Sequence, residues 1–256
     1  MKTIEFIGGG RITGIILRAF ENVGIAFENQ TVYDVKDEAL KVLKDKYPHV
    51  NVTNDPDKTA KSDLVILAVH PPVVMEALDK IKVNLRADSV LLSLSPKFTI
   101  EKISEVLGGH TNIARMNPSA STIVNRGLNP ISFASTFDPN KKAEILELFK
   151  PLGSIPEVSD SKIEAYAVIS AMGHTYFNFQ LQKLKELALS YGMEETEAKK
   201  TISNMLWGTT ETLFNSGLTY DEVTDLVPVK PMGEVEGIIK DYYDLYLNGI
   251  YNKIKP

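Results

Sequence analysis

In the first half of the chain, short apolar runs alternate with stretches whose apolar positions recur at helical spacing. Ile4-Glu5-Phe6-Ile7, Thr31-Val32-Tyr33-Asp34 and Val50-Asn51-Val52 read as strands. Gly14 to Val23 and Asp37 to Tyr47 read as the helices between them, the second with Ala39, Leu40 and Leu43 on one face. Leu64 to Val69 is continuously apolar, as a strand buried on both faces requires. The alternation goes on through a helix from Val73 to Ile81, a strand from Ser89 to Leu94, a helix from Ile100 to Leu107 and a strand from Asn112 to Arg115. Two later strands, Pro130 to Ala134 and Gly153 to Val158, flank a helix from Asn140 to Phe149. Strands alternating with helices predict right-handed crossovers and a mostly parallel sheet.

Beyond Val158 the character changes. Ser161 to Tyr191 is nearly free of helix breakers apart from Gly173, and Glu194 to Phe214 is a second long helical stretch. Asp221 to Leu226 and Glu234 to Tyr251 read as two more helices. The predicted fold class is therefore α/β: an N-terminal Rossmann-type doubly wound sheet over residues 1–158, followed by an all-helical C-terminal domain over 159–256.

Composition removes several functional classes. The chain has no cysteine, which excludes disulfides, thiolate metal ligands and a cysteine nucleophile and fits a reducing compartment. With 28 basic against 33 acidic residues, the net charge of −5 argues against a nucleic-acid partner. No apolar run approaches the roughly 18 residues of a membrane span, and the segment Met1-Lys2-Thr3-Ile4 lacks the apolar run of a signal peptide. The expectation is a cytoplasmic protein with no membrane partner.

Chemistry enters at Gly8-Gly9-Gly10, between the first strand and the first helix. A dinucleotide fold needs glycine where the chain turns tightly and where backbone approaches the pyrophosphate, which then sits on free amides at the helix N-terminus. The fingerprint G-x-G-x-x-G/A is imperfect, because its sixth position is Thr13. An acidic residue, Asp34, follows at the end of the second strand, near the expected offset of about 20 residues. Its carboxylate is placed to accept from the adenosine ribose hydroxyls, which favours NAD. Lys36 and Lys41 are near enough to meet a 2′-phosphate, and Asp34 could equally cap the second helix.

These residues, with Phe6-Ile7-Gly8-Gly9-Gly10-Arg11-Ile12, the run Ser62 to Pro71 and Arg115-Met116-Asn117-Pro118, resemble the pyrroline-5-carboxylate reductase family. That family reads G-G-G-N-M, D-x-x-x-x-A-V-K-P and R-x-M-P-N-T-P at the three places. The resemblance implies NAD(P)H as cofactor and hydride transfer to a small cyclic imine or keto acid, as in proline biosynthesis. Gly8, Gly9, Gly10, Arg11, Ile12 and Asp34 would hold the coenzyme, with Ala68, Val69, His70 and Pro71 along its adenosine side. Ser95 and Asn117 would lie along the nicotinamide, and Ser119 matches a family threonine. His70 replaces the family's lysine, and Pro71 also suits a helix N-terminus.

The substrate side departs from the family. S-G-S-G-P-A-Y becomes Ser170 to Tyr176, matching only at Ser170, Gly173 and Tyr176. D-x-V-x-S-P-G-G-T-T becomes Asp225 to Val235, with Glu234 and Val235 where the threonines belong. Lys230 offers a point charge that would offset Glu234 beside a substrate carboxylate. A histidine can donate a proton near neutral pH, and His174 would sit at the expected interdomain cleft as such a donor. The plainer readings are a packed histidine, a core Tyr176 and a solvated Lys230. Catalytic candidates are therefore Ser170, His174 and Lys230. Two alternatives stay open: another two-domain dehydrogenase of the β-hydroxyacid type, for which Lys183 and Lys185 are the helix lysines, or a nucleotide-binding homologue without catalysis. Tyr166, Val168, Ile169, Phe177, Phe179 and Leu181 make the long helix apolar on more than one face, which predicts a homodimer through the helical domain.

Overall fold

A computed structural model describes all 256 residues. The chain divides into two compact units, Met1–Met172 with Tyr251–Pro256, and Gly173–Ile250.

In the first unit, β1 (Thr3–Ile7), β2 (Asn29–Tyr33), β3 (Asn51–Thr53), β4 (Leu64–Leu67), β5 (Val90–Ser93), β6 (Ile113–Met116) and β8 (Ile131–Phe133) form one sheet in the order β3-β2-β1-β4-β5-β6-β8. All pairs are parallel except β6 with β8. Side-chain alternation sends Ile4, Phe6, Leu64 and Ile66 to one face. There they pack against Ile16 and Phe20 of α1 (Arg11–Asn22), Leu40 and Leu43 of α2 (Asp37–Lys46) and Phe149 of α5 (Pro139–Phe149). Ile7, Val65, Leu67 and Leu91 go to the other face, against Leu78 and Ile81 of α3 (Val74–Ile81) and Ile103 of α4 (Ile100–Val106). With helices on both faces, β4 and β5 are buried at every position, which explains their unbroken apolar sequence.

Several boundaries differ from the sequence reading. α1 begins at Arg11, directly after the glycines, because the turn itself supplies the helix N-terminus. Gly153 to Val158 is not one continuous strand: Glu157 makes an isolated parallel bridge to Ile131 of β8. Its first two residues form β9 (Gly153–Ser154), which pairs with β7 (Gly127–Leu128) in a separate two-stranded ribbon. The helical stretch read from Ser161 to Tyr191 is divided into a short α6 (Ile163–Tyr166), a π-helical stretch over Ala167–Ala171 and then α7 (Gly173–Ser190). Where the sequence changes character at 158, the compact unit runs on to Met172. Buried Ile163, Ala167 and Val168 and the carboxylates of Asp160 and Glu164 anchor this segment beside the sheet.

The second unit comprises α7, α8 (Glu195–Asn215), α9 (Tyr220–Asp225) and most of α10 (Glu236–Ile254). α7 and α8 form a hairpin whose turn passes through Gly192 at φ +91°. α9 opens with a capping box in which Thr219 and Glu222 satisfy each other's backbone amides. The side chains of Phe179, Trp207 and Phe214 are about two-thirds or more exposed, at 68%, 69% and 75%. No helix of the chain is long and apolar enough to cross a membrane.

Candidate functional site

The strand order reverses between β1 and β4. After β1 the chain winds outward through β2 and β3, then crosses back to β4 and winds the other way. Carboxyl ends of strands at such a reversal leave a crevice, and open α/β sheets bind ligands there. Gly8 follows β1 at this point. Its φ is +113°, a conformation closed to ordinary L-residues, and a Cβ on it would lie 2.7 Å from the carbonyl oxygen of Ala68 at the end of β4. Its N–H donates to the Tyr33 carbonyl at 2.7 Å. Gly9 packs under α2, where a Cβ would come within 3.0 Å of Leu43. Gly10 is exposed, with open space around its Cα, and no side chain caps α1. The first amides of α1, including those of Arg11 and Ile12, thus lack both intrahelical and side-chain acceptors, as an anion cradle requires.

Thr13 explains the broken fingerprint. It is fully buried, and its hydroxyl donates to the Gly8 carbonyl at 2.6 Å. The hydroxyl ties the loop down where a glycine or alanine would only make room. The same loop is held from the other side by Asp34. One carboxylate oxygen of Asp34 accepts from Gly9 N–H at 2.7 Å, and the other from Lys36 N–H at 2.9 Å. Asp34 therefore both braces the glycine turn and shapes the start of α2.

Beside Asp34 lies a cleft of about 120 Å³ between the ends of β2 and β4. Val35, Val69, Val73 and Ala77 give it apolar walls, and Asp34, Glu76 and Lys80 supply its charged lining. Lys80 is already occupied, donating to Glu76 at 2.7 Å. His70 is exposed and caps the 3₁₀ turn Pro71–Val73, so Pro71 stands at a helix start as its type allows. Ala68 pairs with β1 through its N–H to the Ile7 carbonyl at 2.8 Å.

Ser95 and Asn117 follow the carboxyl ends of β5 and β6, and both are buried. Asn117 holds the Pro130 carbonyl with its backbone N–H at 3.0 Å, while its side-chain Nδ2 has no acceptor. Ser119 is held within its own loop, its hydroxyl accepting from Leu128 N–H at 3.0 Å. The glycine turn, Asp34, Ala68 and Val69 are thus gathered at one crevice in the first unit.

Ser170 lies in the π-helical turn, its hydroxyl donating to the Tyr166 carbonyl at 2.7 Å and keeping its lone pairs. In the second unit, His174 is half-buried in the first turn of α7. Lys230 is exposed on the loop before α10 and opens onto a pocket with Tyr220, Thr224 and Glu236, of which His174 is not a wall. The carboxylate of Glu236 is held below its ordinary range, chiefly by its hydrogen bond from Lys240 and further by the charge of Lys230. Lys183 pairs with Glu186 and Lys185 approaches Glu195.

Sequence reasoning missed one buried polar assembly. Arg115, only 1% exposed, donates to Asp160 Oδ1 at 2.7 Å and to Glu164, and Glu164 also accepts from the Lys97 N–H at 3.0 Å. Lys97 has φ +81°, so the loop after β5 is strained and is pinned by this carboxylate. Arg115 was visible in the sequence only as part of a motif. An arginine flanked by apolar residues in a strand was the one available sign that buried acids would be needed.

Sheet order and glycine turn define the class: a Rossmann-type, dinucleotide-binding fold. Comparison with known proteins narrows it. A family model described as NADP oxidoreductase, coenzyme F420-dependent, matches residues 3–97. A pyrroline-5-carboxylate reductase of Corynebacterium melassecola is 23% identical over 254 residues, covering 98% of this chain and 94% of that protein. One from Staphylococcus aureus is 26% identical over 222 residues, covering 86% of this chain and 81% of that protein. The crystal structure of a Plasmodium falciparum pyrroline carboxylate reductase with NADP bound matches with a TM-score of 0.78 at 19% identity, covering 98% of this chain and 95% of that one. The similarity to pyrroline-5-carboxylate reductases implied by the motifs therefore extends over nearly the whole chain.

Proposed function

We propose that this protein is an NAD(P)H-dependent oxidoreductase of the pyrroline-5-carboxylate reductase type, acting on a small cyclic imine or keto acid. The observation that carries the reading is the Gly8 turn at the β1/β4 reversal, where a Cβ would lie 2.7 Å from the Ala68 carbonyl oxygen, and which opens directly into uncapped amides of α1. Only backbone fits there, which is the requirement of a diphosphate cradle.

In this reading the amides of Arg11 and Ile12 receive the diphosphate. Asp34 takes the adenosine ribose, and Val69 and the turn at His70 and Pro71 close over the adenosine. Ser95 and Asn117 line the nicotinamide side, and the unpaired Asn117 Nδ2 is a donor in search of an acceptor. When bound, the reduced coenzyme supplies hydride. The His174 imidazole is the proposed proton donor, and Ser170 Oγ a further catalytic candidate. Lys230 would attract the substrate carboxylate, with the nearby charge of Glu236 moderating its pull.

The exposed aromatic side chains of α7, α8 and α10 support assembly as a homodimer through the helical unit. The cysteine-free composition suits the cytoplasm. Coenzyme oxidation should be followed by absorbance with pyrroline-5-carboxylate and with a panel of small keto acids. Turnover with either class supports the reading. Coenzyme binding without turnover on any of them would leave the non-catalytic nucleotide-binding homologue, which the loss of two threonines at Glu234 and Val235 favours.

A further inference from the structure

We infer that the crevice selects NADH over NADPH; this rests on the dinucleotide reading above and specifies its ligand. The two coenzymes differ only at the adenosine 2′ position, a hydroxyl in one and a phosphate in the other. In a Rossmann crevice that position falls at the end of β2. Here the residue directly after β2 is Asp34.

Asp34 cannot swing away to make room for a phosphate. Its two oxygens are held by separate backbone amides, Gly9 at 2.7 Å and Lys36 at 2.9 Å. Each oxygen keeps a lone pair, so the carboxylate is fixed in place as an acceptor for ribose hydroxyls. No cationic side chain pairs with it.

The surrounding charge points the same way. Among the side chains lining the adjoining cleft, the charged ones are Asp34, Glu76 and Lys80, and Lys80 is bound to Glu76. The cleft wall is thus net negative, and its one cation is already paired. Lys36, at the N-cap of α2, and Lys41, on α2, are exposed and do not line the cleft, and no arginine does. A 2′-phosphate would bring up to two negative charges against a fixed carboxylate, with no bidentate donor to receive them. A 2′-hydroxyl would find an acceptor already oriented.

The test is a titration of the purified protein with NADH and with NADPH, in the absence of substrate, read by calorimetry. NADH should bind roughly ten-fold tighter or more. Val35→Arg places a guanidinium on the cleft wall and should bring NADPH closer to NADH. Asp34→Asn keeps an acceptor for Gly9 N–H while removing the charge, and should narrow the difference as well. Equal affinities in the parent protein, or tighter NADPH, would overturn the selectivity while leaving dinucleotide binding in place. No heat with either coenzyme would overturn both.

Discussion

Glu5 offers a sharp physical test of the fold. It lies in the middle of β1, paired between Thr31 of β2 and Val65 of β4, and is 2% exposed. Burial pushes its carboxyl from an ordinary 4.5 up to about 7, and hydrogen bonds from the Ala60 and Lys61 amides recover only part of that. Ala60 sits at φ +59°, so the loop before β4 folds back to offer those amides. One carboxylate oxygen, Oε1, has no partner. A folded value above the unfolded one means that the native state binds the proton more tightly. The resulting stabilisation is complete below about pH 4.5 and is lost as pH rises to about 7. The difference between 4.5 and about 7 corresponds to about 3 kcal/mol. Glu5→Gln removes the titration and keeps the size and one acceptor. Urea unfolding of the parent and Glu5→Gln at pH 4, 6 and 8 reads the effect directly. The variant should gain about 3 kcal/mol on the parent between the lowest and highest pH. Parallel stability curves across that range would refute the assignment of a buried, protonated Glu5.

Three further outcomes follow from the same geometry. Gly8→Ala forces a Cβ against the Ala68 carbonyl at a positive φ; it should cost at least about 2 kcal/mol and weaken coenzyme binding at least roughly ten-fold, as measured by melting and calorimetry. Arg115→Met leaves Glu164 buried without its guanidinium and should cost about 3–5 kcal/mol, with Glu164→Gln in the same chain restoring a good part, a coupling that a double-mutant cycle reads. His174→Gln should lower turnover roughly 100-fold or more, and full turnover would remove the histidine from proton transfer.

Much of the first unit could be read before the structure was known. Leu64 to Leu67 is apolar at every position because both faces of β4 are covered, and Gly8-Gly9-Gly10 marks a turn whose first position no side chain fits. Asp34 was legible as well, because its place after β2 is set by local spacing. The departure at Thr13 looked like erosion of the motif, yet its hydroxyl closes the same turn by bonding the Gly8 carbonyl. The second unit was legible as helices but not as a site, since His174 and Lys230, like Ser170 in the first unit, carry no local pattern that sets their partners.

Sequence alone determined what depends on neighbours along the chain: strand and helix rhythm, the glycine turn and the acid that follows it. Tertiary structure decided what depends on residues far apart. Arg115 finds Glu164 across 49 positions, Glu5 has its proton affinity raised by burial and only partly lowered by the amides of Ala60 and Lys61, and Gly153 pairs with Gly127 outside the main sheet. The reason is physical. Periodicity records which face of an element is buried, whereas the partner of a buried charge and the free energy of its proton are set only when distant segments pack and exclude water.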